Sequence, residues 1–209
     1  LTALVGSGTG RFRYNSDEAT DGYTVALSPN VINAIYREQP IATTNIDSFT
    51  VTYGYDHTTT LTNFKPDGTT PLSTLRTALN GDESVAGLGI IIEGATYSTG
   101  NKLVYRATPY TLTDGFTKLG YATSQTGGSL LTVAKKDLSF SGLVISSKTY
   151  DGNTNANLSI GGASLPDKIT NDLVSVSSVT GAFDTRHVGI AKPVTITAAT
   201  LTGTDVDNY

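Results

Sequence analysis

His57 and His187 are the only imidazoles in a chain of 209 residues, and there is no cysteine. A zinc centre needs three or four ligands, and neither histidine has a second one at metal-binding spacing. No nucleophile, base and orienting group occur in a pattern that would make either histidine catalytic. His57, set among Tyr55, Asp56 and threonines, reads as a loop residue. Without cysteine there are no disulfides, thiolate metal sites or cysteine nucleophiles. The carboxylates offer little more. Asp151, Asn153 and Asn155 open like a calcium loop, but Ala156 and Gly162 stand where that loop needs its Gly and its Glu. Calcium remains open only at Asp205 and Asp207, beside Asn208, where the other reading is a polar turn.

Two further signals are chemical in appearance. Val5-Gly6-Ser7-Gly8-Thr9-Gly10 resembles a phosphate-cradling loop, yet Arg11-Phe12-Arg13-Tyr14 follows instead of a helix, alternating as an exposed strand does. A flexible turn is expected there. Asn157-Leu158-Ser159 is an acceptor sequon for N-glycosylation, a three-residue pattern that also arises by chance. With no nucleophile, base and orienter set and no metal constellation, no enzymatic activity is expected, and calcium at Asp205 and Asp207 is the one cofactor left open.

Composition narrows the class further. Net charge is -4, and segments 1–37, 38–135 and 136–209 carry 3 basic against 3 acidic residues, 6 against 8, and 5 against 7. No segment has the basic footprint of a nucleic-acid binder. No polybasic helix suits a membrane surface, and no apolar run approaches the ~20 residues of a spanning helix. Only 15% of residues are charged, while 22 are glycine and threonine, serine and asparagine abound, which suits strands with solvated faces and tight turns. The chain opens on Leu1 with no initiator methionine or signal-like segment, which suggests part of a longer protein.

The elements that must position these residues read mostly as strands. Asp21-Gly22 marks a turn before a strand over 23–27. Ser28-Pro29 is a helix-start signal, but Val31, Ile32, Ile35 and Tyr36 favour a strand. After a polar connector over 37–45, Phe49, Val51 and Tyr53 alternate with threonines, and 58–61 supplies a returning strand. One short helix is predicted at 71–79: Thr70 caps, Pro71 takes the first position, Leu72, Leu75 and Leu79 form a stripe, and Asn80-Gly81 stops it. Ile90-Ile91-Ile92 predicts a strand buried on both faces, and 102–108, 121–124 and 129–133 are further strands. In the last third an apolar run over 138–145 leads into Lys148-Thr149-Tyr150-Asp151-Gly152-Asn153-Thr154, where Asp151-Gly152 is a tight-turn dipeptide. Phe49-Thr50-Val51-Thr52-Tyr53-Gly54 is a weaker echo of it. Strands follow over 173–179 and 194–197. No closing strand follows Asp205-Val206-Asp207-Asn208-Tyr209, so the natural protein is expected to continue.

These stretches carry a family resemblance. Tyr150-Asp151-Gly152-Asn153-Thr154, Gly181-Ala182-Phe183-Asp184 with Val188-Gly189, and Leu201-Thr202-Gly203-Thr204-Asp205 ending in Asn208-Tyr209 resemble the YDG-type repeat of large secreted bacterial adhesins. Val51-Thr52-Tyr53-Gly54, Leu79-Asn80-Gly81-Asp82, Gly94-Ala95-Thr96-Tyr97 and Leu130-Leu131-Thr132-Val133 resemble its neighbour, the mostly-β, glycine-rich (MBG) repeat. Tyr55 and the long span between Lys65 and Leu79 depart from that pattern. The resemblance implies tandem small β-modules, β-grasp-like or Ig-like, in an elongated arrangement. Residues 1–37 would end a preceding repeat, 38–135 form an MBG-like module, and 136–209 a YDG-like module truncated at its C-terminus.

The resemblance also implies a filamentous-haemagglutinin-type exoprotein, secreted or at the cell surface, serving adhesion or biofilm formation. Tyr150, Asp151, Gly152, Tyr53 and Gly54 are then motif residues of a structural stalk. The alternative is a module that binds a glycan or host surface through loops at one end. Expected partners are neighbouring modules, with extracellular polysaccharide or host-cell glycan under the alternative, and neither nucleic acid nor membrane insertion; the chain is expected to be monomeric. Asn157 is a candidate for glycosylation.

Overall fold

In the stretch Tyr110 to Asp114 the even-numbered residues are buried and the threonines between them face outward, the period-two signature of a half-buried strand. The same alternation recurs at Ile41–Asn45 and Leu130–Ala134. The computed structural model of the chain describes residues 2–17, 19–56, 60–61, 76–85 and 87–209. These fall into two compact units: unit 1 is Leu1–Val51, Asp56–Thr96 and Arg106–Val133, and unit 2 is Thr52–Tyr55, Tyr97–Tyr105 and Ala134–Tyr209. The described residues are mostly β, with one short α-helix, α1 (Thr2–Val5).

Unit 1 is built on β1 (Phe12–Arg13), β2 (Ala34–Ile35), β3 (Ile41–Asn45), β4 (Phe49–Thr52), β5 (Thr60–Leu61), β6 (Arg76–Thr77), β7 (Ile90–Ile92), β8 (Tyr110–Asp114), β9 (Ala122–Thr126) and β10 (Leu130–Ala134). A five-stranded sheet runs in the order β4-β10-β8-β7-β5, a three-stranded one β6-β3-β9, and β1 pairs with β2. The β3–β9 and β1–β2 pairs are parallel. Val5, Phe12, Tyr14, Ala34, Ala42, Leu88, Phe116, Leu119 and Tyr121 form one core, so residues before Arg37 share it with residues after it. β7 follows the expectation in part: Ile90 and Ile92 are buried and Ile91 is half-buried.

Four sequence readings need correction here. Arg11-Phe12-Arg13-Tyr14 is not an exposed strand, because Phe12, Arg13 and Tyr14 are all buried. The Arg13 guanidinium donates to the carbonyls of Gly10, Phe12, Val25 and Ala26. Two of these acceptors, Val25 and Ala26, lie in 23–27, which is irregular backbone rather than the predicted strand. The 102–108 strand is likewise irregular. Residues 71–75 of the predicted helix lie outside the described residues, but its final turn is not helical. Arg76–Thr77 is the strand β6, paired antiparallel with β3, and Leu79 is exposed. The residue buried there is Arg76, whose Nε and Nη2 reach the Asp114 carboxylate at 2.9 Å each.

A second buried carboxyl in unit 1 gives a pH prediction. Asp82 Oδ2 accepts from the hydroxyls of Tyr14 (3.0 Å) and Tyr121 (2.8 Å), and Asp82 Oδ1 has no hydrogen-bond partner. Burial raises the Asp82 pKa, with Glu83 adding to it, against the lowering by the two hydroxyls. Burial also pushes the Tyr14 phenol up to about 12 and Tyr121 higher still. An acid whose folded pKa is raised stabilises the fold below its unfolded pKa and loses that contribution as pH rises through the folded one. Unit 1 should therefore lose stability as pH climbs from about 4, the ordinary aspartate value. Asp82→Asn should flatten that limb in urea titrations across pH; an unchanged slope would show that Asp82 does not titrate there.

In unit 2, β11 (Val144–Ser146), β12 (Asn155–Ser159), β13 (Ser175–Phe183) and β14 (Val194–Thr202) form an antiparallel meander in that order. Register shifts between Val176 and Ser178, and between Thr180 and Gly181, mark bulges in the β13–β14 pair. Within these four strands Gly181 alone is fully buried. Because β11–β12 and β13–β14 turn at the same end, 147–154 and 184–193 share one pole of the sheet. Asp172, Leu173 and 203–209 lie at the other.

Candidate functional site

At the first pole, each connection is organised around one lysine. Lys148 Nζ sits 2.9 Å from Asp151 Oδ2, donates to the carbonyl of Asn155 at 2.9 Å, and also donates to Asn153 Oδ1. Asp151 in turn accepts from the Asn153 amide (3.1 Å) and from Asn153 Nδ2 (2.7 Å), a side-chain-closed turn. Gly152, at φ 80°, supplies the left-handed residue that this turn requires. Lys192 does the same for the other connection, 2.8 Å from Asp184 Oδ1 and donating to Thr185 O, Thr185 Oγ1 and His187 O. The Lys148 ammonium holds the Asp151 carboxyl below the usual aspartate range, and Lys192 does so for Asp184. Asp151 and Asp184 were legible as motif residues; the role of Lys192 was not.

Between the two connections lies a cleft of about 610 Å³, bordered by Tyr150, Phe183, His187, Val188 and Ile190. Tyr150 is 64% exposed, Val188 84% and Ile190 99%. Both lysines are committed to carboxylates and carbonyls of their own loops, and the cleft sets the apolar Tyr150, Val188 and Ile190 beside Arg186 and His187. Exposed ion pairs add little to stability. Lys148→Ala should accordingly leave the thermal midpoint nearly unchanged while removing the acceptor order of the turn. Hydrogen exchange at the Asn153 and Asn155 amides should speed up, and unchanged exchange would mean that the Asp151 and Asn153 side chains hold the turn without the lysine.

The opposite pole gathers a different set. Tyr53 is buried, and its hydroxyl donates to Asp172 Oδ2. Tyr209 donates to the same oxygen at 2.6 Å, and the two rings meet edge to face with centroids 5.3 Å apart. Asp172 Oδ1 accepts from the Gly100 amide at 2.9 Å. Gly54, at φ 96°, lies so close to Ile169 that a Cβ would come within 2.6 Å of its Cδ1. The sequence echo Tyr53-Gly54 and the motif Tyr150-Asp151-Gly152 thus sit at opposite poles of one sheet, the first enclosed and the second bare. Asp172 was not singled out in the sequence, where nothing local distinguishes it.

The remaining candidates are placed individually. Asp205 is buried with both oxygens in use, accepting from the amides of Thr99 (3.1 Å) and Leu173 (2.8 Å). Burial pushes its pKa up, but these amides outweigh it and the carboxyl stays below its ordinary value. Asp207 is exposed, and the side-chain oxygen of neighbouring Asn208 accepts from the Tyr105 amide. No group of three or more His, Asp or Glu residues converges for a metal among the described residues. Asn157 is exposed on β12, paired with Ser146 in the β11 ladder. His57 lies outside the described residues, and His187 is exposed in the second connection.

Residues 134–209 match the family model of the YDG domain. No curated protein and no solved structure matches the chain.

Proposed function

We propose that this chain is a spacer region from the stalk of a secreted or surface-anchored bacterial adhesin, supporting adhesion or biofilm formation. A YDG domain at 134–209 supports a repeat-built exoprotein, and the MBG-like reading of 38–135 supplies its neighbour. One observation carries the structural role. The motif's own polar groups, Lys148, Asp151 and Asn153, are spent on one another and on the turn's backbone, leaving no convergent polar set aimed outward. Such a motif specifies a turn; it performs no chemistry, and no enzymatic activity is proposed. The partners are neighbouring modules of the same chain, and the exposed sequon at Asn157 is open to glycosylation on an exported protein.

A second reading rests on Tyr150, whose exposed ring borders the cleft as sugar-stacking tyrosines do. It would make the same pole a glycan site. Small-angle scattering of the 209-residue chain tests the first reading. A single globule of this length has a radius of gyration of roughly 17 Å, so a value above about 22 Å with a rod-like distance distribution supports end-to-end modules. A value near the globular figure overturns the stalk and moves attention to the Tyr150 cleft.

A further inference from the structure

We infer that the cleft between the two connections takes a sugar that carries a carboxylate on its ring, with Tyr150 stacking on the sugar face and Arg186 and His187 holding the charge. This inference rests on the glycan reading of the Tyr150 pole and names the class of sugar. The cations of this pole are of two kinds. Lys148 and Lys192 have side chains only 15% exposed, and each is tied to an aspartate and to a carbonyl of its own connection. Arg186 is exposed and borders the cleft, and its side chain makes no ion pair or hydrogen bond among the described residues. The imidazole of neighbouring His187 makes none among them either. The free polar groups thus belong to the second connection and not to the Tyr150-Asp151-Gly152 motif.

Charge selects an anion. Segments 147–154 and 184–193 hold Lys148, Arg186 and Lys192 against Asp151 and Asp184, and the lysines neutralise both acids, so one cation is left over. The other acids of this unit's sheet region, Asp137, Asp167, Asp172, Asp205 and Asp207, all lie beyond the opposite strand ends. In a chain of net charge -4, the Tyr150 pole is therefore where an anion is drawn. Shape selects a sugar. A volume of about 610 Å³ suits a small ligand, and both walls are preformed by their lysine-closed connections, so binding orders little. Tyr150, Val188 and Ile190 place exposed apolar surface at the rim, which the apolar face of a pyranose would cover. A guanidinium meets a carboxylate through two parallel N–H donors. A neutral sugar would leave Arg186 unused and an aliphatic acid would leave Tyr150 unused; a ring-borne carboxylate engages both.

The test is an NMR titration of the isotope-labelled 209-residue chain with short oligomers of galacturonate, glucuronate and mannuronate and with sialyllactose. Each acid is paired with its methyl ester, which keeps the sugar and removes the charge. At least one acid should shift the amides of Tyr150 and of 185–190, and its ester should bind about tenfold more weakly, the worth of one charge-assisted contact. Arg186→Gln should bring that acid down to the affinity of its ester and leave the ester unaffected, whereas Tyr150→Ala should weaken both. Both substitutions fall on exposed side chains, and unchanged amide positions elsewhere show that the fold is kept. Acid and ester of equal affinity overturn the carboxylate and leave the glycan site standing. Binding by no member of the panel overturns the glycan site and the inference together. Acid binding that Tyr150→Ala leaves untouched, or that polyglutamate matches, overturns the sugar and makes the pole a plain anion site.

Discussion

Arg76→Ala should lower the stability of unit 1 by about 3–5 kcal/mol, the cost of breaking a buried ion pair by removing one partner. The two side chains are 3% and 0% exposed, and the guanidinium meets the carboxylate through two hydrogen bonds of 2.9 Å. Its Nη2 also donates to the Leu88 carbonyl, and the group stacks 4.1 Å from the Phe116 ring centroid. Truncation would leave Asp114 in the core with two donors: the Thr44 hydroxyl and the Phe116 amide (3.0 Å), which Asp114 caps at the start of a 3-10 turn. The aspartate is therefore strapped to β3, β6, β8 and that turn at once, and the arginine neutralises it. Replacing both partners by apolar groups of similar volume should cost less than Arg76→Ala, since no lone charge stays buried. Urea unfolding followed by tyrosine fluorescence measures this, the chain having no tryptophan. A loss below about 1 kcal/mol, the range of exposed pairs, would mean that the pair is solvated.

Arg76 also shows where the sequence stops being legible. Leu72, Leu75 and Leu79 repeat at helical spacing, and local pattern reasoning follows the leucines. Yet Leu79 is 51% exposed, and the buried residue is the arginine, whose partner lies 38 positions away. Arg13 misled for the same reason, since its acceptors are carbonyls on a stretch that forms no ladder. What could be read was what depends on neighbours alone. β9, β10, β13 and β14 follow from β-branched and threonine runs between glycine turns, and Gly152 takes the left-handed conformation expected of it, in a bend closed by the Asp151 and Asn153 side chains. β8 carries the same alternation in Tyr110, Leu112 and Asp114, but its inward series ends on a charge that a local pattern assigns to the surface. The candidate site divides likewise. The Tyr150 turn was visible, while the enclosing residue for Tyr53 is 119 positions distant and has no local mark.

That residue, Asp172, carries the second large effect. Asp172→Ala should lower the stability of unit 2 by about 3–5 kcal/mol, because it strands the hydroxyls of Tyr53 and Tyr209 and the Gly100 amide together. Each such bond to a charged acceptor contributes about 1.5–3 kcal/mol, and the sum is held down because Tyr209 is only half-buried and its hydroxyl also accepts from the Ile169 amide. Tyr53→Phe removes one donor and leaves the carboxylate two, so it should cost about 1–2 kcal/mol. The two changes share a partner and should not add; a double-mutant cycle with Asp172→Asn should return a coupling above about 0.5 kcal/mol. The alkaline limb gives an independent check. Burial first, then the hydrogen bond to Asp172, pushes the Tyr53 and Tyr209 phenols above their ordinary value. A raised phenol stabilises the fold below about pH 10, the unfolded value, and loses that contribution as pH climbs beyond it. In the unaltered chain, phenolate absorbance from these two rings should rise together with the loss of sheet circular dichroism. In Asp172→Ala both transitions should move to lower pH. If the alkaline transition stays in place and unit 2 keeps its stability, the tyrosines are held by ring packing alone, and Asp172 is not what seats them.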